Sequence, residues 1–386
     1  MLLLTLSAIC LVFVLNGLRP VSFTPLMIPS FFAAWLVVEL APQLLVLTVV
    51  GVALTALLGG FSWIGLGLAL LAAAGLVRMV IESLQVEAAA DVALQQWPAI
   101  GPAEPHVASV VRRFFRPMAF KDAQVQRTRN LPYGEAGKRN HLDVYRRADH
   151  PTGCPTLVQV HGGGWVIGDK DHQGRPLMLE MARRGWVCFA PNYRLSPRAT
   201  FPDHLVDVKR AIAWVREHGA EYGADPGFLV ITGGSAGGHL VALTALTQND
   251  REYQPGFEEA DTSLQGCVSY YGVYDLEGET ETKAHKLRHD RVLSKLVMKT
   301  RDPETFRKAS PIARVHPGAP PFLVIHGRND TVVPVQEARL LVERLRASTT
   351  NPVVYLELPG TQHAFDVFPS VRSDAVVRAV ARFLET

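Results

Sequence analysis

The sequence predicts an α/β protein, a mostly parallel sheet covered by helices on both faces, behind an all-α end suited to a membrane. Three observations predict it. From about residue 118 short apolar runs alternate with amphipathic helical patterns. From Met1 to Val77 the only charged residues are Arg19 and Glu39. The stretch FLVITGGSAGGHL, Phe228 to Leu240, reads as strand, sharp turn and helix, with Ser235 on the turn.

The apolar end comes first. Runs at Met1–Leu18, about Pro25–Leu40, Pro42–Leu58 and Phe61–Val77 are separated at Arg19–Pro20, Ala41–Pro42 and Gly59–Gly60. A span takes about 20 apolar residues, about 17 at the least, so three or four transmembrane helices are expected within residues 1–82. Met1–Leu18 lacks the basic leader and the small-residue cleavage site of a signal peptide. A soluble core is the other alternative, but consecutive runs this poor in charge are unusual there. Glu39 is expected at an interface or a helix end. Arg78, Arg112, Arg113 and Arg116 follow the apolar region, which places the remainder on the cytoplasmic side by the positive-inside rule.

Residues 83–117 form a connecting segment. Leu84, Val92 and Leu94 have helical spacing, and Pro98, Pro102 and Pro105 interrupt it. Trp97, Phe114 and Phe115 suit a helical lid over the following domain.

Within residues 118–386 the expected strands are Asp122–Thr128, His141–Arg147, Thr156–Val160, Val187–Pro191, Phe228–Ile231, Gly266–Tyr271, Pro321–Ile325 and Val353–Leu358. Helices are expected at Pro176–Arg184, Val335–Ala347 and Ser373–Leu384. Another carries Leu205, Val208, Ile212 and Val215 on one face. Tyr274–Pro311 is a charged, partly helical insertion without strand pattern. Net charge is +3, so no basic field calls for a nucleic-acid partner. Cys10, Cys154, Cys188 and Cys267 lack paired spacing and are read as reduced or buried, without a disulfide framework or a metal site.

Candidate chemistry gathers after strands, where an open α/β sheet collects its functional groups. A serine nucleophile needs a base and a carboxylate to orient that base. Ser235, Asp330 and His363 each follow an expected strand, in that chain order. Asp366 is a rival carboxylate, but it lies too near His363 in sequence to approach its ring naturally. Among thirteen histidines, His239 and His326 are read as packed, hydrogen-bonding residues. Gly233 and Gly237 flank Ser235, where side chains would meet the neighbouring strand or helix. The run His161-Gly162-Gly163-Gly164 lets backbone N–H groups approach a developing oxyanion.

HGGGW (His161–Trp165), NYRLSP (Asn192–Pro197), GADP (Gly223–Pro226), GGSAGG (Gly233–Gly238), HGRNDTVVP (His326–Pro334) and GTQHAF (Gly360–Phe365) occur in one order. In these motifs the region 118–386 resembles the hormone-sensitive-lipase group of α/β-hydrolases, the bacterial family IV esterases and the arylacetamide-deacetylase type. The resemblance implies that Ser235 is the nucleophile, His363 the general base and acid, and Asp330 its orienting carboxylate. It implies an oxyanion hole from the backbone N–H groups of Gly163, Gly164 and Ala236. Two departures stand out: Gly234 where Asp or Thr is usual, and Asn192 where Asp is frequent.

The function expected is a membrane-anchored serine esterase or lipase acting on carboxylic esters, lipid-like ones among them, through an acyl-enzyme and without metal or organic cofactor. The alternatives are an amidase or deacetylase using the same three residues, and a non-catalytic ligand-binding homologue.

Overall fold

The computed structural model describes residues 1–21, 26–95, 111, 113–117 and 120–385. The N-terminal helices are α1 (Leu2–Leu18), α2 (Met27–Glu39), α3 (Ala41–Leu57) and α4 (Trp63–Leu94). Then come β1 (Val125–Pro132), β2 (His141–Arg147), β3 (Cys154–Val160), α5 (Arg175–Arg183), β4 (Val187–Pro191), α6 (Asp203–His218), β5 (Ala224–Gly234) and α7 (Ala236–Ala245). The last part holds β6 (Gly266–Tyr270), α8 (Lys283–Arg288), α9 (Pro303–Ala309), β7 (Phe322–Gly327), α10 (Val335–Ser348), β8 (Val353–Leu358) and α11 (Val371–Leu384).

One eight-stranded sheet runs in the order β1-β2-β4-β3-β5-β6-β7-β8. The pairs β1/β2 and β2/β4 are antiparallel, and every later neighbour is parallel. The parallel strands are mainly apolar in their central stretches, Leu229–Ile231 and Phe322–Ile325 among them, because both faces are covered there. On one face Leu205, Val208, Ile212 and Val215 of α6 are buried as their spacing predicts, beside α7 and α10. The other face packs against α5, α11 and the C-terminal half of α4.

Expected and observed strands coincide at β2, β4 and β8. β5 begins earlier than Phe228, at Ala224, because Cys154 pairs with Ala224 ahead of a register shift. β1 starts later, at Val125, and ends at Pro132 across another shift, with Asn130 left-handed at φ 59°. The insertion after Tyr274 holds α8, a π-helical stretch His289–Val297 and α9.

The division expected at residues 82/83 falls inside one helix. α4 continues through it, about 48 Å in all at 1.5 Å per residue, and its two halves enter different cores. Ala72, Leu76 and Met79 pack with Val14, Val37 and Val38. Val86, Ala90, Ala93 and Leu94 belong to the core beneath the sheet. Residues 83–94 are therefore part of the α/β body, not a linker. Of the stripe read there, Leu84 and Val92 are exposed. Leu94 keeps its expected place on the buried face, which Val86, Ala90 and Ala93 complete, and the small alanines let the helix approach the sheet and α11 closely. Glu87 and Asp91 fasten it further, to Arg378 and Arg382. The expected lid residue Trp97 and the three prolines lie outside the described residues.

Among the described residues, α4 alone is long and apolar enough to cross a membrane, or two spans result if α2 and α3, bent by 82° at their junction, count as one. α1, at 17 residues, is shorter. Glu39 ends α2, one of the two positions expected for it.

Candidate active site

Ser235 sits between β5 and α7 with φ 60° and ψ −123°, a backbone conformation that costs a non-glycine residue strain. Its N–H donates to Tyr270 O at 3.0 Å, which ties the turn to β6. The flanking glycines have no room for a side chain. A Cβ at Gly233 would lie 2.6 Å from Val160 O, and one at Gly237 only 2.3 Å from it.

The structure brings Ser235, His363 and Asp330 into line. Ser235 Oγ is 2.9 Å from His363 Nε2, and His363 Nδ1 is 2.6 Å from Asp330 Oδ2. Asp330 Oδ1 accepts from the N–H groups of Val332 and Val333, both at 2.8 Å. His326 Nε2, 3.3 Å from Asp330 Oδ2, also lies 2.9 Å from Val333 O. Burial pushes the Asp330 carboxyl up, but the charge of His363 and the hydrogen bonds from His326 and His363 outweigh it, and the net shift is strongly downward. Asp330 is thus held as an anion against the His363 ring. Before His363, Gln362 Oε1 accepts from His363 N at 2.9 Å and Thr331 N at 2.9 Å, joining the β7 and β8 loops.

Gly163 and Gly164 have φ 117° and 60°, left-handed values open to glycine. A Cβ on Gly163 would fall 2.1 Å from Ile167 O. The N–H groups of Gly163, Gly164 and Ala236 donate to no protein acceptor among the described residues. Gly162 packs against the turn itself: a Cβ there would stand 2.7 Å from Gly234 O. His161 is buried and stacks on Tyr193 at 4.4 Å, with Nδ1 2.7 Å from Gly162 O.

Sequence reasoning missed a buried chain of hydrogen bonds that joins the glycine run to the His363 loop. Gly162 N–H donates to Gln173 Oε1 at 2.6 Å, Gln173 Nε2 donates to Tyr271 Oη at 2.7 Å, and Tyr271 Oη donates to Asp366 Oδ1. Burial raises the Asp366 carboxyl, against the hydrogen bond from Tyr271. The Tyr271 ring also lies 4.4 Å from that of His363. This chain accounts for Gly234, because a Cβ there would lie 2.7 Å from Tyr271 Oη and 2.9 Å from Gln173 Nε2. Asn192 has an equally local reason. Its Oδ1 accepts from Lys170 N at 2.7 Å while its Nδ2 donates to Asp169 Oδ2 at 3.0 Å. An aspartate there would set two carboxylates face to face.

His239 takes no part in the Ser235 line. Its Nδ1 accepts from Trp165 Nε1 at 3.2 Å, and its Nε2 donates to Ala309 O at 2.8 Å, an arrangement that requires the neutral ring. Burial pushes His239, His161 and His204 each down to about 4. An unfolded histidine titrates near 6.5, so between about pH 6.5 and 4 the unfolded chain binds more protons. Stability is complete above that window and falls as pH drops through it. The thermal unfolding midpoint, followed by tryptophan fluorescence, is expected to be lower at pH 5 than at pH 7; an unchanged midpoint would contradict this. Among the described residues no group of three or more His, Cys, Asp or Glu side chains is disposed to hold a metal ion.

A mostly parallel eight-stranded sheet, with a serine on the strained turn after its central strand, defines an α/β-hydrolase fold. The chain belongs to the BD-FAE family, whose model matches residues 142–345. It is 51% identical over 263 residues to "Probable carboxylic ester hydrolase LipM" of Mycobacterium tuberculosis, covering 66% of this chain and 60% of LipM. It is 47% identical over 287 residues to "Esterase LipQ" of the same organism, covering 72% of this chain and 65% of LipQ. The chain thus spans less than two thirds of either relative. Among solved structures it is similar to the thermophilic esterase Est2 of Thermogutta terrifontis with propionate bound (TM-score 0.55, 26% identity, 68% of this chain and 94% of Est2).

Proposed function

We propose that the chain is a membrane-anchored serine hydrolase of carboxylic esters, of the hormone-sensitive-lipase type. The observation that carries this reading is the line Ser235 Oγ, His363 Nε2, His363 Nδ1, Asp330 Oδ2, with separations of 2.9 and 2.6 Å. Ser235 Oγ attacks the ester carbonyl carbon while His363 Nε2 takes its proton, and Asp330 stabilises the imidazolium. The carbonyl oxygen becomes an oxyanion, received by the N–H groups of Gly163, Gly164 and Ala236. When the carbonyl re-forms, the ester C–O bond breaks and the alcohol leaves with the proton from His363. Water then attacks the acyl-enzyme, giving its proton to His363, and the acid departs as the proton returns to Ser235. The ester-hydrolase names of LipM and LipQ support this chemistry.

Residues 1–82 are the anchoring region and 118–386 the catalytic body, with α4 shared between them. Support for the anchor is the length of α4 and the exposed Ile64, Leu70, Leu71 and Val77 along it, together with Val46, Leu47 and Leu54 of α3. Arg78, Arg113 and Arg116 beyond the apolar stretch favour the cytoplasmic side for the catalytic body. An anchored enzyme meets esters that partition into the bilayer, so lipid-like substrates are the proposed class.

The test is turnover by the full-length protein of a chain-length series of chromogenic esters, with acyl-matched anilides. Ester hydrolysis that persists to long acyl chains is expected, with little cleavage of anilides. Faster anilide cleavage would assign an amidase, and activity confined to acetyl esters would remove the lipid-like class.

A further inference from the structure

We propose that α2 is a positioning element of the active site, holding the loop that carries His363 from the membrane side. This rests on the role proposed for His363. The loop between β8 and α11 is fixed ahead of His363 by Gln362 and Asp330. Beyond it, α2 makes contacts at four successive points. Phe31 sets its ring 6.1 Å from that of His363, edge to face. Trp35 Nε1 donates to Ala364 O at 2.9 Å, and Ala364 holds φ 59°, a left-handed value few non-glycine residues adopt. The Trp35 ring stacks on Phe368 at 4.6 Å. Glu39 accepts from Ser370 Oγ and pairs with Arg372 Nη1 at 2.7 Å, both charged side chains being buried.

The other side of α2 is fastened within the N-terminal helices. Asn16 Nδ2 donates to Ser30 O at 2.8 Å and Ser30 Oγ donates to Asn16 Oδ1 at 2.6 Å. Val37 and Val38 pack with Val14, Leu76 and Met79. A third face, with Ile28, Phe32 and Leu36 four residues apart, is exposed and apolar. The same short helix therefore touches the apolar N-terminal bundle and the candidate base. Removing its hold leaves Ser235 and Asp330 in place but widens the range of positions His363 samples. Such a change lowers the rate of the chemical step more than substrate binding.

The experiment uses the full-length protein. Trp35→Phe keeps an aromatic ring against Phe368 and deletes the N–H donor to Ala364 O together with part of the indole's packing area. It is expected to lower kcat for a short-chain ester by about three- to tenfold, the worth of one hydrogen bond, with KM within about twofold and only a small fall in the unfolding midpoint. The rate of single-step phosphonylation, which depends on the same base, is expected to fall in proportion. Glu39→Gln probes the second hold, and because it uncouples a buried charge it is read beside the reversed pair Glu39→Arg with Arg372→Glu. Partial recovery of kcat in the reversed pair supports positioning. Wild-type kcat in Trp35→Phe, or a kcat that merely tracks the unfolding midpoint across all variants, would overturn it. An inactive Ser235→Ala beside a fully active Trp35→Phe would remove this inference alone, whereas an active Ser235→Ala would remove the proposed function beneath it.

Discussion

Replacing Ser235 with alanine is expected to lower ester hydrolysis by about a thousandfold or more in kcat, measured on a short-chain chromogenic ester. Members of a nucleophile–base–carboxylate set act as a unit, so losing one costs nearly as much as losing all. What would remain is assistance from the N–H groups of Gly163, Gly164 and Ala236 to direct attack by water. The fold should tolerate the change. Ser235 is half-buried, and its backbone is held by the N–H bond to Tyr270 O and by glycines on either side. Retained wild-type turnover would move the nucleophile elsewhere.

Asp330→Asn is expected to be nearly as damaging, on the order of a thousandfold to ten-thousandfold, through one proton's location. Val332 and Val333 both present N–H groups to Oδ1, so the amide oxygen must take that place. The NH2 group then faces His363 Nδ1, where the carboxylate had accepted. It forces Nδ1 to act as acceptor and moves the ring proton to Nε2, the atom that must receive the proton of Ser235. Asp366→Asn makes the contrast, because Asp366 receives Tyr271 rather than the imidazole. A loss of about tenfold or less is expected there, in keeping with a neutral–neutral bond replacing a charge-assisted one. Equal losses in the two variants would undo the assignment of the orienting carboxylate.

The parts of this arrangement that could be read in the sequence are those set by local patterning. β4 is an apolar run and β8 a mainly apolar one, each bounded by turn residues. The glycines around Ser235 mark a turn whose close contacts any side chain would violate. Ser235, Asp330 and His363 were legible because each stands just beyond a strand, and parallel strands deliver such positions to one edge of the sheet. Periodicity identifies an element and its buried face, but not what that face meets. Gln173 and Tyr271 are 98 residues apart and Trp35 and Ala364 are 329 apart, and nothing in either neighbourhood encodes the pairing. Gly234 was visible as a departure, but its reason lies in the space that Tyr271 and Gln173 fill. The sequence divides the long α4 in two because its composition changes from apolar to polar near Arg78 while its backbone continues. Its buried alanines gave too weak a signal to announce the second core.

The most direct measurement is intact-mass and peptide-mapping analysis of the full-length protein after reaction with a fluorophosphonate. The phosphorus should be attacked by Ser235 Oγ with loss of fluoride, leaving one adduct per chain on the peptide that contains Ser235 and none in the Ser235→Ala protein. An adduct on another residue, or none on folded wild-type protein, would contradict the claim that Ser235 is the nucleophile.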